Sequence, residues 1–160
     1  MTDSNKEKTY TSKEKTYTRE TKKLLRNYNQ IKLNIEILKE EKERADLFVS
    51  LPAITYDSVN VQTSTSNDGV EKDAMRLMHR NKMIDLDIKE NEYLLNKIDR
   101  AINSLPEIEA QIIKLFYIEK NSWNSIVRSM CYSERNLRYK RDEAVLSIAV
   151  ALFGSTVLKR

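Results

Sequence analysis

The chain is poor in the residues that break or staple a backbone. Its 160 residues include two glycines, two prolines, one cysteine and one histidine. Gly and Pro are the main punctuators of secondary structure, so their scarcity predicts long helices and few turns. The lone Cys131 excludes an internal disulfide framework and fits a reducing compartment. His79 sits beside Arg80 with no cysteine or clustered carboxylate at metal-ligand spacing, so it reads as a surface residue, and neither metal nor cofactor is expected. A Gly-rich phosphate loop, a nucleophile elbow and a catalytic pair of acids are all missing, which makes catalysis the weakest functional class. Apolar runs long enough to span a bilayer are absent, as is a signal-peptide pattern, so the expectation is a soluble cytoplasmic protein.

What the chain does have is charge and helical periodicity. Lys and Arg number 28 against 24 Asp and Glu, a net charge of +4, and 32% of residues are charged. That balance suits long solvated helices joined to one small globular domain. Residues 1–18 repeat KEKTYT, at Lys6 to Thr11 and again at Lys13 to Thr18, and contain no Leu, Ile, Val or Phe. Nothing there can build a core, so the segment is expected to be a disordered polar tail.

From residue 19 to 50, Leu24, Tyr28, Ile31, Ile35, Leu38, Lys42 and Ala45 follow steps of four and three, the seam of one long helix. A second seam over residues 71–104 runs through Leu77, Asn81, Ile84, Ile88, Asn91, Leu95, Ile98, Ile102 and Leu105. Asn81 and Asn91 are polar at seam positions, costly in a dry interface but useful for register. Between the seams, LPAITYDSVNVQTSTSNDGV reads as a flexible loop. The two seams fit an antiparallel helical hairpin within one chain, or pairing with the same helices of a second copy.

Residues 105–160 read as a separate three-helix domain with its own core. Pro106 belongs in the first turn of its first helix, which buries Ile108, Ile112, Leu115 and Phe116. Ser122 caps a short second helix carrying Trp123, Ile126, Val127 and Met130. Cys131 and Tyr132 make the turn, Ser133 caps the third helix, and Gly154 ends it. Over Ser122 to Arg141, five basic residues (Arg128, Arg135, Arg138, Lys140, Arg141) face one acid, Glu134. The whole is all-α: a long N-terminal helical hairpin or coiled coil followed by a C-terminal helix-turn-helix.

A helix reads the major groove when one face is anchored on a core and the other presents polar side chains to base edges. Leu137, Ala144 and Ile148 supply the anchored face. Glu134, Arg135, Arg138 and Tyr139 then point outward behind the Ser133 cap, with Lys140 and Arg141 toward the phosphates. Around the start of the second helix, Asn121, Ser122, Asn124 and Arg128 form a position able to hold a phosphate on free backbone N–H groups. Trp123 reads as core or as a cap over the first two helices.

At these residues the chain is similar to the promoter-reading helix-turn-helix of sigma factors, and it more closely resembles the ArpU/RinA family of phage-encoded transcriptional regulators. LPEIEAQIIKLFYIE, SWNSIVRSM, the YSER turn and the ALFG ending carry the resemblance. It implies a double-stranded DNA partner, activation of late genes in a bacterial host cell, and base-reading roles for Glu134, Arg135, Arg138 and Tyr139. Lys140 departs from the sigma pattern, which often has an aliphatic residue there. A homodimer and contact with host RNA polymerase are the further partners expected. Competing readings are a small DNA-packaging (terminase) recognition subunit and a coiled-coil adaptor contacting RNA polymerase.

Overall fold

The computed structural model describes residues 12–50 and 68–158. All the regular structure among them is helical: α1 (Ser12–Arg26), α2 (Tyr28–Ser50), α3 (Asp68–Asn103), α4 (Glu107–Ile113), α5 (Trp123–Met130) and α6 (Glu134–Phe153), with a 3-10 turn over Gly154–Val157. None of these helices is long and apolar enough to cross a membrane. The loop expected at residues 51–67 and the tail at 1–11 lie outside the described residues.

Two compact units divide the chain. Of the described residues, a core unit holds those up to Gln30 together with those from Leu94 onward, and a two-helix unit holds those between Ile31 and Tyr93. In the latter, α2 and α3 run antiparallel: Lys39 pairs with Glu92 (2.6 Å), Lys42 with Asp85 (2.6 Å), and Asn81 donates to Asp46 (3.3 Å). Rising numbers on α2 meet falling numbers on α3. Ile35, Ile84 and Ile88 are buried along the expected seams, whereas Leu77 is 45% exposed and Asn91 donates to Asp87 O of its own helix.

Three expectations are corrected. The tail does not extend to residue 18, because Ser12 to Thr18 already belong to α1. Tyr17 gives this otherwise polar segment an anchor, its ring lying 5.1 Å from that of Phe153. The first long helix is interrupted at Asn27, whose N–H is shared between Lys23 O (3.0 Å) and Leu24 O (3.2 Å). The break re-phases the apolar face: α1 fully buries Thr21 and Leu25, one turn apart, before α2 takes up the seam through Ile35. Pro106 is the N-cap of α4 with extended ψ, not a residue of its first turn, and its carbonyl accepts from Ala110 N (2.9 Å).

The C-terminal helices also do not close a core by themselves. The larger cluster joins Leu25 of α1 and Ile98, Ala101 and Ile102 of α3 to Ile113, Tyr117, Ala144, Val145, Ile148 and Leu152. Residues before 105 therefore supply part of the apolar interior that the sequence pattern assigned to residues 105–160 alone. Lys97 Nζ adds a polar tie, donating to Leu152 O (2.6 Å) near the end of α6. A smaller cluster of Ile112, Ile126 and Leu137 holds α4, α5 and α6 together.

Both clusters depend on a π-helical turn, Lys114–Ile118, that continues α4. Its wider winding is closed by Glu119 N to Lys114 O (2.9 Å), and Asn29 donates to Ile118 O (2.8 Å). Consecutive aromatics thereby link the two clusters: Tyr117 is sunk in the larger one, while Phe116 packs against both and stacks on Trp123, ring centroids 4.6 Å apart.

Candidate nucleic-acid interface

The surface formed by α5, the turn after it and the start of α6 is built by local chemistry. Ser122 Oγ accepts from Ser125 N (3.3 Å) and Ser133 Oγ accepts from Asn136 N (3.4 Å), so each helix begins with one of its orphan N–H groups satisfied. Between them Cys131 takes a left-handed conformation (φ 56°) and its N–H bonds to Val127 O. That reversal turns the chain sharply without a glycine. Leu137 is fully buried beside Ile126 and Ile112, which pins the first turns of α6 on α5 and α4.

On the opposite side of α6, Arg135 and Arg138 are exposed and Tyr139 is 52% exposed. Arg128 of α5 is exposed as well, while Lys140 is half-buried. Among the described residues, no acid pairs with Arg128, Arg135 or Lys140. Glu134 and Arg138 are instead engaged with each other one turn apart (2.6 Å), and the Arg138 guanidinium lies 4.8 Å over the Trp123 ring. The indole thus positions Arg138 from below while leaving about half of its side chain in solvent.

Arg141 is placed differently from the phosphate contact expected of it. Only 15% of its side chain is exposed, and its guanidinium lies 5.3 Å from the Trp123 ring and 5.5 Å from that of Phe116. Two nitrogens of the same group bond to Asp142, at 2.9 and 3.1 Å. Nε and Nη2 are committed to Asp142, so the side chain braces the interface rather than facing a ligand.

Asp142 is the hub of this brace and has no counterpart among the expected site residues. It accepts from Lys22 Nζ of α1 (3.3 Å) as well as from Arg141. Burial works against its charged form, but the hydrogen bonds and charges of Arg141 and Lys22 outweigh it and hold the carboxyl below its ordinary range. Below the hub, burial pushes the Tyr117 phenol up, against the opposing pull of the Arg141 and Arg26 charges. A carboxylate two turns after Glu134 on a helix whose N-terminal half is basic was a visible signal, but its partner Lys22 is 120 residues away.

No group of three or more His, Cys, Asp or Glu side chains among the described residues could hold a metal ion. His79 is exposed on α3 and Cys131 is an exposed free thiol in the turn. What the surface offers is a cationic and hydrogen-bonding face on a rigidly seated helix. Compared with protein-family models, curated proteins and solved structures, the chain matches none.

Proposed function

We propose that this chain is a sequence-specific regulator that binds double-stranded DNA, with α5, the Cys131–Ser133 turn and α6 acting as a helix-turn-helix. The N-terminal half of α6 enters the major groove, with Arg135, Arg138 and Tyr139 toward the bases and Arg128 toward a phosphate. One observation carries this reading: the first turns of α6 are capped and anchored by Leu137, while their outer face presents arginines with donors left for a ligand. Guanine offers two acceptors in the major groove that match an arginine fork. Ser122 acts through its cap, orienting the α5 N-terminus, while Glu134 and Lys140 flank the reading residues.

In this proposal the chain acts as a homodimer in a bacterial host cell, contacts host RNA polymerase and activates late genes of a phage. Ile35 and Ile88 are buried within one chain, so pairing of two copies falls to the outer positions of the two-helix unit. Leu33, Ile37, Leu47, Met75 and Met78 are each more than half exposed there and are the apolar side chains such pairing would cover.

The test is selection of bound fragments from the source genome, followed by titration of the selected duplex and a scrambled one. Arg135→Ala is expected to weaken the selected site by about 1 to 3 kcal/mol and to relax preference at one base position. Equal losses on selected and scrambled duplexes would show a basic handle rather than a reading helix. Sedimentation of the full chain at several concentrations tests the dimer.

A further inference from the structure

The face of α6 that carries Arg138 does not stay open along the helix. Arg138, Asp142 and Val145 follow one another at i, i+4 and i+7, so they share a side of the helix. Arg138 is exposed, yet Val145 is fully buried in the cluster that includes Leu25 of α1. α1 lies across the second half of α6 and ends the open face at Asp142, where Lys22 meets it.

α1 is amphipathic in a way that matters at this edge. Its inner side is made by Tyr17, Thr21, Leu24 and Leu25, and away from it Lys15, Arg19, Lys22 and Arg26 step by four, three and four along one stripe. At 1.5 Å per residue the stripe is about 16 Å long. Its first three cations border a groove of about 370 Å³ between α1 and α6, floored by Thr18, Asp142 and Val145. Among the described residues Asp142 is the sole acid lining it, and both Lys22 and Arg141 already engage that carboxylate. Glu20 touches Arg19 at 3.8 Å but also pairs with Lys23 (3.2 Å), and 71% of the Arg19 side chain is exposed. The groove keeps a net positive charge.

Resting on the reading of α6 given above, we propose that α1 is a phosphate clamp. A duplex seated on the open half of α6 runs past this step, and the stripe holds backbone phosphates flanking the bases that α6 reads. The contact is independent of sequence, since it is made by flexible cations to phosphate oxygens. Lys22, tied to Asp142, sets where the clamp stands relative to Arg138, and Lys15 and Arg19 provide the charge that Asp142 does not engage.

The experiment compares the full chain with Lys15→Ala/Arg19→Ala, leaving the Lys22 bridge intact, on the selected and the scrambled duplex over a range of salt concentrations. Each cation withdrawn from a phosphate lowers the log–log salt slope by about 0.9, so the double variant is expected to drop by about two units on both duplexes. The ratio of the two affinities should stay as in the wild type, as should the melting temperature. A charge-preserving Lys15→Arg/Arg19→Lys variant should restore the slope. An unchanged slope in the alanine variant, with Arg135→Ala still losing its site preference, would overturn the clamp and leave the reading helix standing. Absence of duplex binding by the wild-type chain at low salt would overturn both.

Discussion

The core unit and the two-helix unit use the same kind of sequence, amphipathic helix, to different ends. In the core unit Leu25, Ile98, Ile102, Ile112, Ile113, Ile126, Leu137, Val145 and Ile148 keep at most 1% of their surface. Between Ile31 and Tyr93, the buried apolar side chains among the described residues are Ile35, Ile84 and Ile88, and ion pairs of partly exposed side chains run beside them. Fully burying a side chain of this size is worth about 1.5–3 kcal/mol, whereas an exposed ion pair contributes about 1 kcal/mol or less. Periodicity therefore reports that a helix has an apolar side, and the number of elements converging on that side decides how much stability results. Three-way convergence of α1, α3 and α6 makes the core unit a firm platform, and two helices alone make a thin seam.

The most drastic way to break the contrast is to cut the core unit at its apparent sequence boundary. A fragment of residues 104–160 lacks Leu25, Ile98, Ala101 and Ile102, so it should melt without a cooperative transition by circular dichroism, while the full chain melts cooperatively. A cooperative melt of the fragment would show that the smaller cluster around Ile112, Ile126 and Leu137 suffices.

Within the core unit, the two arginines six residues apart should separate cleanly. Arg141→Ala removes a partly buried, ring-stacked group bonded to Asp142 and should cost about 1–3 kcal/mol of stability, seen as a shift in the denaturant midpoint. Arg135→Ala, on an exposed position, should stay within about 0.5 kcal/mol while losing site preference. Equal stability of the two variants would refute the bracing role of Arg141.

Titration sharpens the picture at both ends of the pH scale. Asp142 is held below its ordinary value, so its contribution is complete above the unfolded carboxyl value of about 3.9 and fades as pH falls through the lower folded one. Tyr28 is pushed up to about 12 by burial and by its 2.8 Å hydrogen bond to Asp99. Its contribution is complete below an unfolded value of about 10 and is lost as pH rises toward 12. Melting temperatures across pH should show both slopes; Asp142→Asn should flatten the acid one and Tyr28→Phe the alkaline one. Persistence of either slope in its variant would assign it to other groups.

The smallest expected effect belongs to the two-helix unit. Asn81 occupies a seam position, donates to Asp46, and leaves its Oδ1 buried without a partner. Asn81→Leu should raise stability by up to about 1 kcal/mol, because removing an unsatisfied oxygen and adding apolar contact outweigh one exposed hydrogen bond. A decrease measured by urea titration would mean that Asn81 sets the register between α2 and α3 and that the seam needs it.

Much of the fold was readable because it rests on local rules. Ser122 and Ser133 were identifiable as caps, Gly154 as a helix end and Cys131 with Tyr132 as a turn, since each depends on a residue's own hydrogen-bonding or steric properties. Seam positions such as Ile35, Ile84 and Ile88 followed from spacing alone. The interruption at Asn27 and the π-helical turn at Lys114 to Ile118 left no such mark, because both answer to which distant surface each apolar residue must reach.

The amino-acid sequence by itself determined that this protein is helical, where most helices begin and end, and that the start of α6 is basic on the side away from Leu137. Those properties come from backbone capping and period, which act over a few residues. Tertiary structure alone decided that α1 and the end of α3 complete the core. It decided too that Arg138 stands exposed over Trp123 while Arg141, one turn on, is largely withdrawn from solvent against the same ring and tied through Asp142 to Lys22. The reason is physical: two arginines on one helix are alike in sequence, and what distinguishes them is the aromatic and carboxylate partners that long-range packing brings within reach.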